Sequence, residues 1–423
     1  MSTGTQVTSN ATQVRSSLSR RMRPLYVATF LLGTWLWVPV EKLFMNEIGF
    51  TAAAVGVMAA VYAAVPPIME IPSGVLADRW SRRGVLIVAS VAGMISVLIG
   101  GLSTNVPVYF LSAVFLGVFF AMRSGTVEAV VYDTVLEETG GSDEYETWVG
   151  RTRMVESSAL VSSALIGGLI ANLTTPRLTY FLTIPFTGLS IVALLRFREP
   201  TLHKTEEATS LRAHLAVTYR AVTRRGQLRS IIVLAVMTGL ILTTLFEFGP
   251  LWLVAVAAPA ILYGPHWAGM MSTFGLGGLL AGRLRFDRPG TIGAVAIIMV
   301  VASWTLTASR NVVGLTVAQI VLALLAVAAS IHISRLMHDA VSSTIRAGVA
   351  SAVGAVSWMA FLPFALAFGL VSEHYGVHAA GWMIVAATVG TGILLVKVAL
   401  ARCAPASLRF AVLPGGCTAE GSA

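Results

Sequence analysis

"MEIPSGVLADRWSRRGVLIV", Met69 to Val88, sets Asp78, Arg79, Arg82 and Arg83 between two apolar runs. A tight charge cluster between runs long enough to cross a bilayer reads as a turn at a membrane face. The rest of the chain supports lipid as the main solvent. Of 423 residues, 56% are hydrophobic and 12% charged, against about 25% charged in soluble domains. A soluble chain of this length needs more polar surface than that.

A membrane helix needs about 20 apolar residues. Twelve stretches meet that length: 24–45, 53–76, 84–103, 107–133, 152–173, 177–196, 230–257, 264–283, 290–309, 312–333, 347–370 and 377–400. With the N-terminus in the cytoplasm, Lys and Arg belong in the tails and the even-numbered connections. Those segments, with the span ends that border them, hold 25 of the 29 basic residues. Lys42, Arg177 and Arg310 fall in the outer connections or at the span ends that border them, and Arg123 lies within a span. The expectation is an all-α membrane protein of twelve transmembrane helices in two pseudo-symmetric six-helix halves. It sits in the plasma (inner) membrane with both termini cytoplasmic. The formal charge of +9 follows from this asymmetry; no polar domain is left to bind nucleic acid.

The divisions are a tail at 1–23, a bundle at 24–196, a linker at 197–229, a second bundle at 230–401 and a disordered tail at 402–423. In the linker, Leu211, Leu215, Tyr219 and Val222 recur at helical spacing beside Arg212, Arg220, Arg224 and Arg225. That pattern suits an amphipathic helix on the inner leaflet; a plain solvated linker is the alternative. Cys403 and Cys417 suggest neither a disulfide framework nor a metal site. No HExxH, Walker loop or GxSxG elbow is present. The first apolar run is too long for a cleavable signal and reads as a retained helix.

Gly74 to Gly84, "GVLADRWSRRG", resembles the signature loop of the major facilitator superfamily, G-x-L-A-D-R-x-G-R-R/K. The match covers Gly74, Leu76, Ala77, Asp78, Arg79, Arg82 and Arg83, with Ser81 where the family often has glycine. The resemblance implies a latch for the outward-open state, made by this loop with the fourth and eleventh helices. It also implies an acidic partner at the inner end of the fourth helix, where Asp133 stands. Asp78, Arg79 and Asp133, joined by Arg151, form the expected gate network. "GLLAGRLRFDRPG", Gly278 to Gly290, echoes the loop with Gly282 in place of the aspartate; such internal repeats belong to this transporter class.

An ionisable group within a span costs about 2.5–3.5 kcal/mol on insertion scales, so each is a functional candidate. Glu70 lies two turns before Asp78. Glu128 lies about 7.5 Å deeper than Asp133, and Arg123 deeper still. Arg123 falls where the family's second motif places an arginine linked to proton coupling, although "RSGTVEA" matches that motif poorly. Glu70 and Glu156 are candidate partners for Arg123 or Arg153. For Glu70, Glu128 and Glu156 a paired structural role competes equally with a role in transport. Glu247 is the acidic residue within the spans of the second half, with no base in its helix core. It is expected to be unpaired, facing the cavity, where it couples protons or binds a substrate cation. A protonated, hydrogen-bonded glutamic acid is the alternative. His332, His338, His374 and His378 read as edge histidines. Trp35 and Trp37 flank Pro39 and are candidates to line the cavity.

Family exporters carry G-x-x-x-G-P-x-x-G-G on the fifth helix. Here "SSALIGG", Ser162 to Gly168, keeps only Gly167 and Gly168 of its end. Sparse cavity charge suits an amphipathic organic compound. The whole pattern resembles bacterial efflux-type members of the superfamily. The expected function is proton-coupled efflux of a small molecule by alternating access. The protein would act as a monomer in membrane lipid, without a cofactor or enzyme activity. Uptake of a nutrient by the same fold is the alternative, and a membrane receptor or scaffold a more distant one.

Overall fold

The computed structural model describes residues 3–79, 81–123, 126–141, 144–200, 226–286, 288–340 and 346–403. Side chains at 3–14, 66, 70–79, 146, 226–227, 338, 346–348, 350–352 and 401–403 are not part of that description. The expected linker helix and most of the C-terminal tail therefore lie outside the described residues, as do the side chains of Glu70, Asp78 and Arg79 and the surroundings of Gly74.

Fourteen α-helices and no strands occur among the described residues. The first half holds α1 (Thr3–Gly33), α2 (Glu41–Glu47), α3 (Ala52–Arg79), α4 (Arg82–Leu102), α5 (Val106–Arg123), α6 (Thr126–Thr139), α7 (Tyr145–Leu173) and α8 (Pro176–Arg196). The second half holds α9 (Gly226–Ala255), α10 (Tyr263–Arg283), α11 (Pro289–Ala308), α12 (Val312–Asp339), α13 (Arg346–Tyr375) and α14 (Val377–Cys403). Helices are the expected solution, because hydrocarbon leaves no partner for an open backbone N–H or C=O.

Two expected spans are composite. The first runs through α1, a 3-10 turn at Val38–Val40 and α2; the fourth runs through α5 and α6. Several helices outrun the expected limits at the charged face: the fifth span starts at Tyr145, and the tenth reaches Asp339. Among the described residues, eleven segments are long and apolar enough to cross a membrane. The remaining expected span is α10. Its 21 residues suffice in length, but glycines and buried His266 and Thr273 dilute its apolar character.

Helix boundaries follow local chemistry. Ser81 caps α4 by accepting from the Gly84 N–H at 2.8 Å. Asn311 caps α12 by accepting from Val313 and Gly314. Pro176 and Pro289 open α8 and α11, where a missing N–H costs nothing. The interruption at Pro39 is tolerated because it is buried in protein: the Leu36 N–H donates to Thr183 Oγ1 at 3.3 Å.

The turns at 81, 140–141, 144, 197–200, 284–286 and 288 share one face, here called the basic face; those at 48–51, 103–105, 174–175, 256–262, 309–311 and 376 share the far face. Packing repeats between the halves. In the first, α3 packs on α5, and α8 on α1 and α4; in the second, α10 packs on α12, and α14 on α9 and α11. The halves meet along α3 with α13 and α7 with α10.

Both contacts close tightly near the far face, through glycine. A Cβ on Gly56 of α3 would lie 2.6 Å from the Ala365 carbonyl oxygen and 2.8 Å from Gly369 Cα. One on Gly168 of α7 would lie 2.7 Å from Gly264 of α10. Small residues allow this approach, and van der Waals packing then holds it. Gly56→Val should insert normally yet fail to close the far face, since overpacking costs about 1–3 kcal/mol. Transport by the variant is expected to fall about tenfold or more while its detergent-solubilised elution profile stays that of the parent. Gly275→Ala, with open space at its Cβ position, should transport normally.

Candidate functional site

Below the closed far face a cavity of about 520 Å³ opens toward the basic face. Tyr62 of α3 and Trp358 of α13 meet edge-to-face across the halves, with ring centroids 5.9 Å apart. Tyr62 also meets Phe120 edge-to-face at 5.6 Å. Two ion pairs form the polar wall. Arg123 Nη2 donates to Glu156 Oε1 at 2.7 Å, and Arg153 Nη2 donates to Glu128 Oε1 at 2.6 Å. Glu128 follows Arg123 toward the basic face as Arg153 precedes Glu156, the order that antiparallel helices give. Each wall therefore presents one cation and one anion. Arg123 Nε is buried without a partner, so this guanidinium keeps hydrogen-bonding capacity beyond its pair.

Trp35 and Trp37, candidates to line the cavity, are packed inside the first half instead. Trp35 stacks on Trp37 and meets Phe119 at 5.0 Å; Trp37 stacks on Tyr180. In the second half a cavity of about 780 Å³ is walled by Gly278, Gly282, His332 and Arg335. The His332 ring stacks on Phe286 at 4.8 Å, so this histidine borders a cavity rather than simply marking a helix edge.

At the basic face, the signature turn is held by its own half. Arg82 Nη1 donates to the Ala129 carbonyl at 2.9 Å and to Asp133 Oδ2. Arg83 Nη1 donates to the Phe197 carbonyl at 3.1 Å. Ser81 Oγ donates to Glu199 Oε2 at 2.6 Å, and the Arg83 N–H donates to Glu199 Oε1. The Ser81 that departs from the family pattern thus caps α4 and ties the turn to the end of α8. Glu199 is absent from the expected site; its place just after a span, among arginines, is the signal that points to it. Arg151 lies over the Trp148 ring, 4.7 Å from its centroid. The described partner of Asp133 is Arg82; the side chains of Asp78 and Arg79, expected to join it, lie outside the described residues. Hydrogen bonds from Arg15 and Trp148 hold the Glu144 carboxyl below the ordinary carboxylate range.

Glu247 overturns its expectation. Its carboxylate is not unpaired: Lys42 Nζ donates to Glu247 Oε1 at 2.6 Å and to Glu41 Oε2 at 2.9 Å. Lys42 is not in an outer connection either; it is 2% exposed, inside the protein. The Tyr109 hydroxyl donates to Glu41 Oε1 at 3.0 Å and shares a hydrogen bond with Tyr180 at 2.8 Å. Sequence reasoning misses Glu41 and Lys42 because they follow Pro39 near the end of a span, where charges ordinarily mean a loop. The break at Pro39 turns them inward.

Comparisons with known proteins agree on the architecture. The family model described as Major Facilitator Superfamily matches residues 25–367. Multidrug resistance protein 1 of Bacillus subtilis (strain 168) is 27% identical over 177 residues, 42% of this chain and 43% of that protein. Multidrug resistance protein 2 of the same organism is 27% identical over 165 residues, 39% of this chain and 38% of that one. The chain therefore spans less than half the length of each of these relatives. The crystal structure of the nucleoside transporter NupG superposes with a TM-score of 0.71 at 15% identity, covering 91% of this chain and 98% of that one. That of a D-xylose-proton symporter superposes with a TM-score of 0.65 at 13% identity, covering 88% and 95%. At such identities the likeness speaks for the fold alone.

Asp133→Asn would leave Arg82 partly buried without its counter-ion, and breaking such a pair costs about 3 kcal/mol. The variant should melt at a lower temperature than the parent in detergent. Arg82→Met with Asp133→Leu should recover part of that loss, read from the same melting curves.

Proposed function

The chain belongs to the Major Facilitator Superfamily, and on that premise we propose that it exports a small amphipathic organic compound in exchange for protons. The basic face is then the cytoplasmic face of the plasma membrane, as the distribution of Lys and Arg suggests. The substrate enters from that side. The two halves rock about the cavity, opening the far face while the basic face shuts.

The observation that carries this reading is the combination of a shut far face with a cavity at the junction of the halves. Gly56 against Gly369 and Gly168 against Gly264 shut one side, while the space beneath Tyr62 and Trp358 opens on the other. A volume of about 520 Å³ is in the range of drug-sized ligand sites. Its aromatic ceiling offers a planar, apolar contact, and its walls offer charge without a net sign. That composition suits an amphipathic molecule better than a multiply charged anion. The names of the two Bacillus relatives support the same substrate class. Arg123, Glu156, Glu128 and Arg153 are the polar contacts proposed for substrate.

A susceptibility panel on cells with and without the gene tests the proposal. Expression should raise resistance to one or more amphipathic compounds, and a protonophore should abolish that gain. Trp358→Ala should reduce it severalfold, because it removes the second half's contribution to the ceiling. Growth dependence on a single nutrient, with no change in resistance, would instead establish uptake.

A further inference from the structure

We infer that Glu41, Lys42 and Glu247 form a one-proton site, loaded while the far face is closed and empty once it opens. The inference rests on the proton-coupled reading above and names the site that reading requires. Lys42 stands on α2 in the first half and Glu247 on α9 in the second, and their 2.6 Å contact joins the halves. The ammonium also holds Glu41, one residue away, at 2.9 Å. The cluster sits between the cavity ceiling and the far face. On its far side lies a small space of about 210 Å³ walled by Lys42, Phe50 and Ser372.

Two carboxylates share one ammonium, so the fully ionised triad carries one uncompensated negative charge. Among the described residues, the neighbouring helices offer nothing to cancel it. From α5 and α8 come the neutral hydroxyls of Tyr109 and Tyr180. From α3 comes Tyr62, within coulombic range of both carboxylates. The helices packed on α9 present Gln319 of α12 and Phe361 and Phe368 of α13 beside Gly249 and Phe248. His266 of α10 is engaged with Thr316. Arg177 of α8 lies over the Phe44 ring and donates to the Gly101 carbonyl.

Burying a net charge is expensive, and the triad relieves it by keeping one proton on its carboxyl pair. That proton belongs to the pair rather than to either residue. When the far face opens, Glu247 parts from Lys42 and the groups meet water. Water then stabilises each carboxylate separately, so the open form no longer keeps the proton, which has left through the basic-side cavity before the far face opens. The closed form thus binds one proton more than the open form. Linkage sets the sign: the closed form gains as pH falls, and the open form gains as pH rises, by at most about tenfold per pH unit. This direction suits an exporter. Proton uptake from the far side closes the far face and returns the empty cavity to the basic side. Tyr62 lines that cavity and marks the route by which the proton leaves toward it when substrate binds.

The test uses the purified full chain in nanodiscs, without substrate, with Cys403 and Cys417 replaced by Ser. Spin labels at Asn105→Cys and Tyr375→Cys report the separation of the halves at the far face. Between pH 5 and 9 the long-distance population should grow with pH, with a slope approaching one proton. Glu41→Gln leaves a neutral Lys42–Glu247 pair, so the label distance should stay short at every pH. Glu247→Gln should also remove the pH dependence while raising the open population, and it serves if the Glu41 variant does not fold. A wild-type distance that ignores pH overturns the inference, and so does full pH dependence retained in both glutamine variants. Loss of export with the pH-dependent distance intact would overturn the export reading and leave the proton site standing.

Discussion

Hydrocarbon offers polar groups no partner, and this constraint governs the chain from backbone to site. Hydroxyls within the helices turn back on their own turn: Thr34 donates to the Phe30 carbonyl, Ser90 to Leu86, Thr134 to Val130 and Thr388 to Ile384. The interruption inside the first span is sheltered from two sides. Thr183 takes the Leu36 N–H, and Gly167 lets α7 pass so close that a Cβ there would sit 2.0 Å from the Leu36 carbonyl oxygen. Charges obey the same rule. Arg82, Arg123, Arg153 and Lys42 each face a carboxylate on another helix.

The same constraint explains why the halves can part. Apolar surfaces gain little by associating in lipid, so the joint between α3 and α13, and between α7 and α10, depends on close packing of small residues. Gly–Gly contacts have no interlocking side chains to unthread. They separate or re-form by sliding, and the cost is the dispersion energy of the contact. The ion pair between Lys42 and Glu247 is different. It is directional and largely buried. In the proposed cycle, packing supplies a surface that can open, and the charge cluster supplies a reason for it to open under one condition and not another.

How much of this is legible in the sequence depends on distance along the chain. The apolar runs mark the spans, because lipid demands about 20 residues at a stretch. The charge cluster at Asp78–Arg83 marks the turn, and Asp133 does stand near it, with Arg82 as its partner. Within the first half, Glu156 stands with Glu70 as a candidate partner for Arg123 or Arg153, and the structure pairs it with Arg123, while Arg153 takes Glu128. Glu247 defeats the same reasoning, since its partner lies 205 residues away in the other half. Nothing in a one-dimensional pattern distinguishes a lysine at a span's end from a lysine folded inward. The signal is Pro39, three residues before Lys42, where the helix breaks and the chain is redirected. The role of Ser81 is hidden for a related reason, because Glu199 reaches it from beyond the sixth span.

Charge is shared unequally between the halves, and that inequality bears on mechanism. In the first half, paired charges run from the basic face through the cavity wall to Lys42. In the second, the described ion pair within the half is the exposed Arg335–Asp339 contact at 3.9 Å, and Glu247 points its carboxylate into the first half. The two halves share a packing plan but not a chemistry. A rocking motion needs only one half to hold the polar contacts, provided the other touches them at a point that moves. Glu247 occupies that point at the far side, and Trp358 occupies it at the cavity ceiling through its contact with Tyr62. When the halves turn, both contacts change together, since both ride on helices of the second half. On the proposed reading, a ligand against the ceiling and a proton on the charge cluster are coupled through rigid-body motion, with no chain of contacts needed between them.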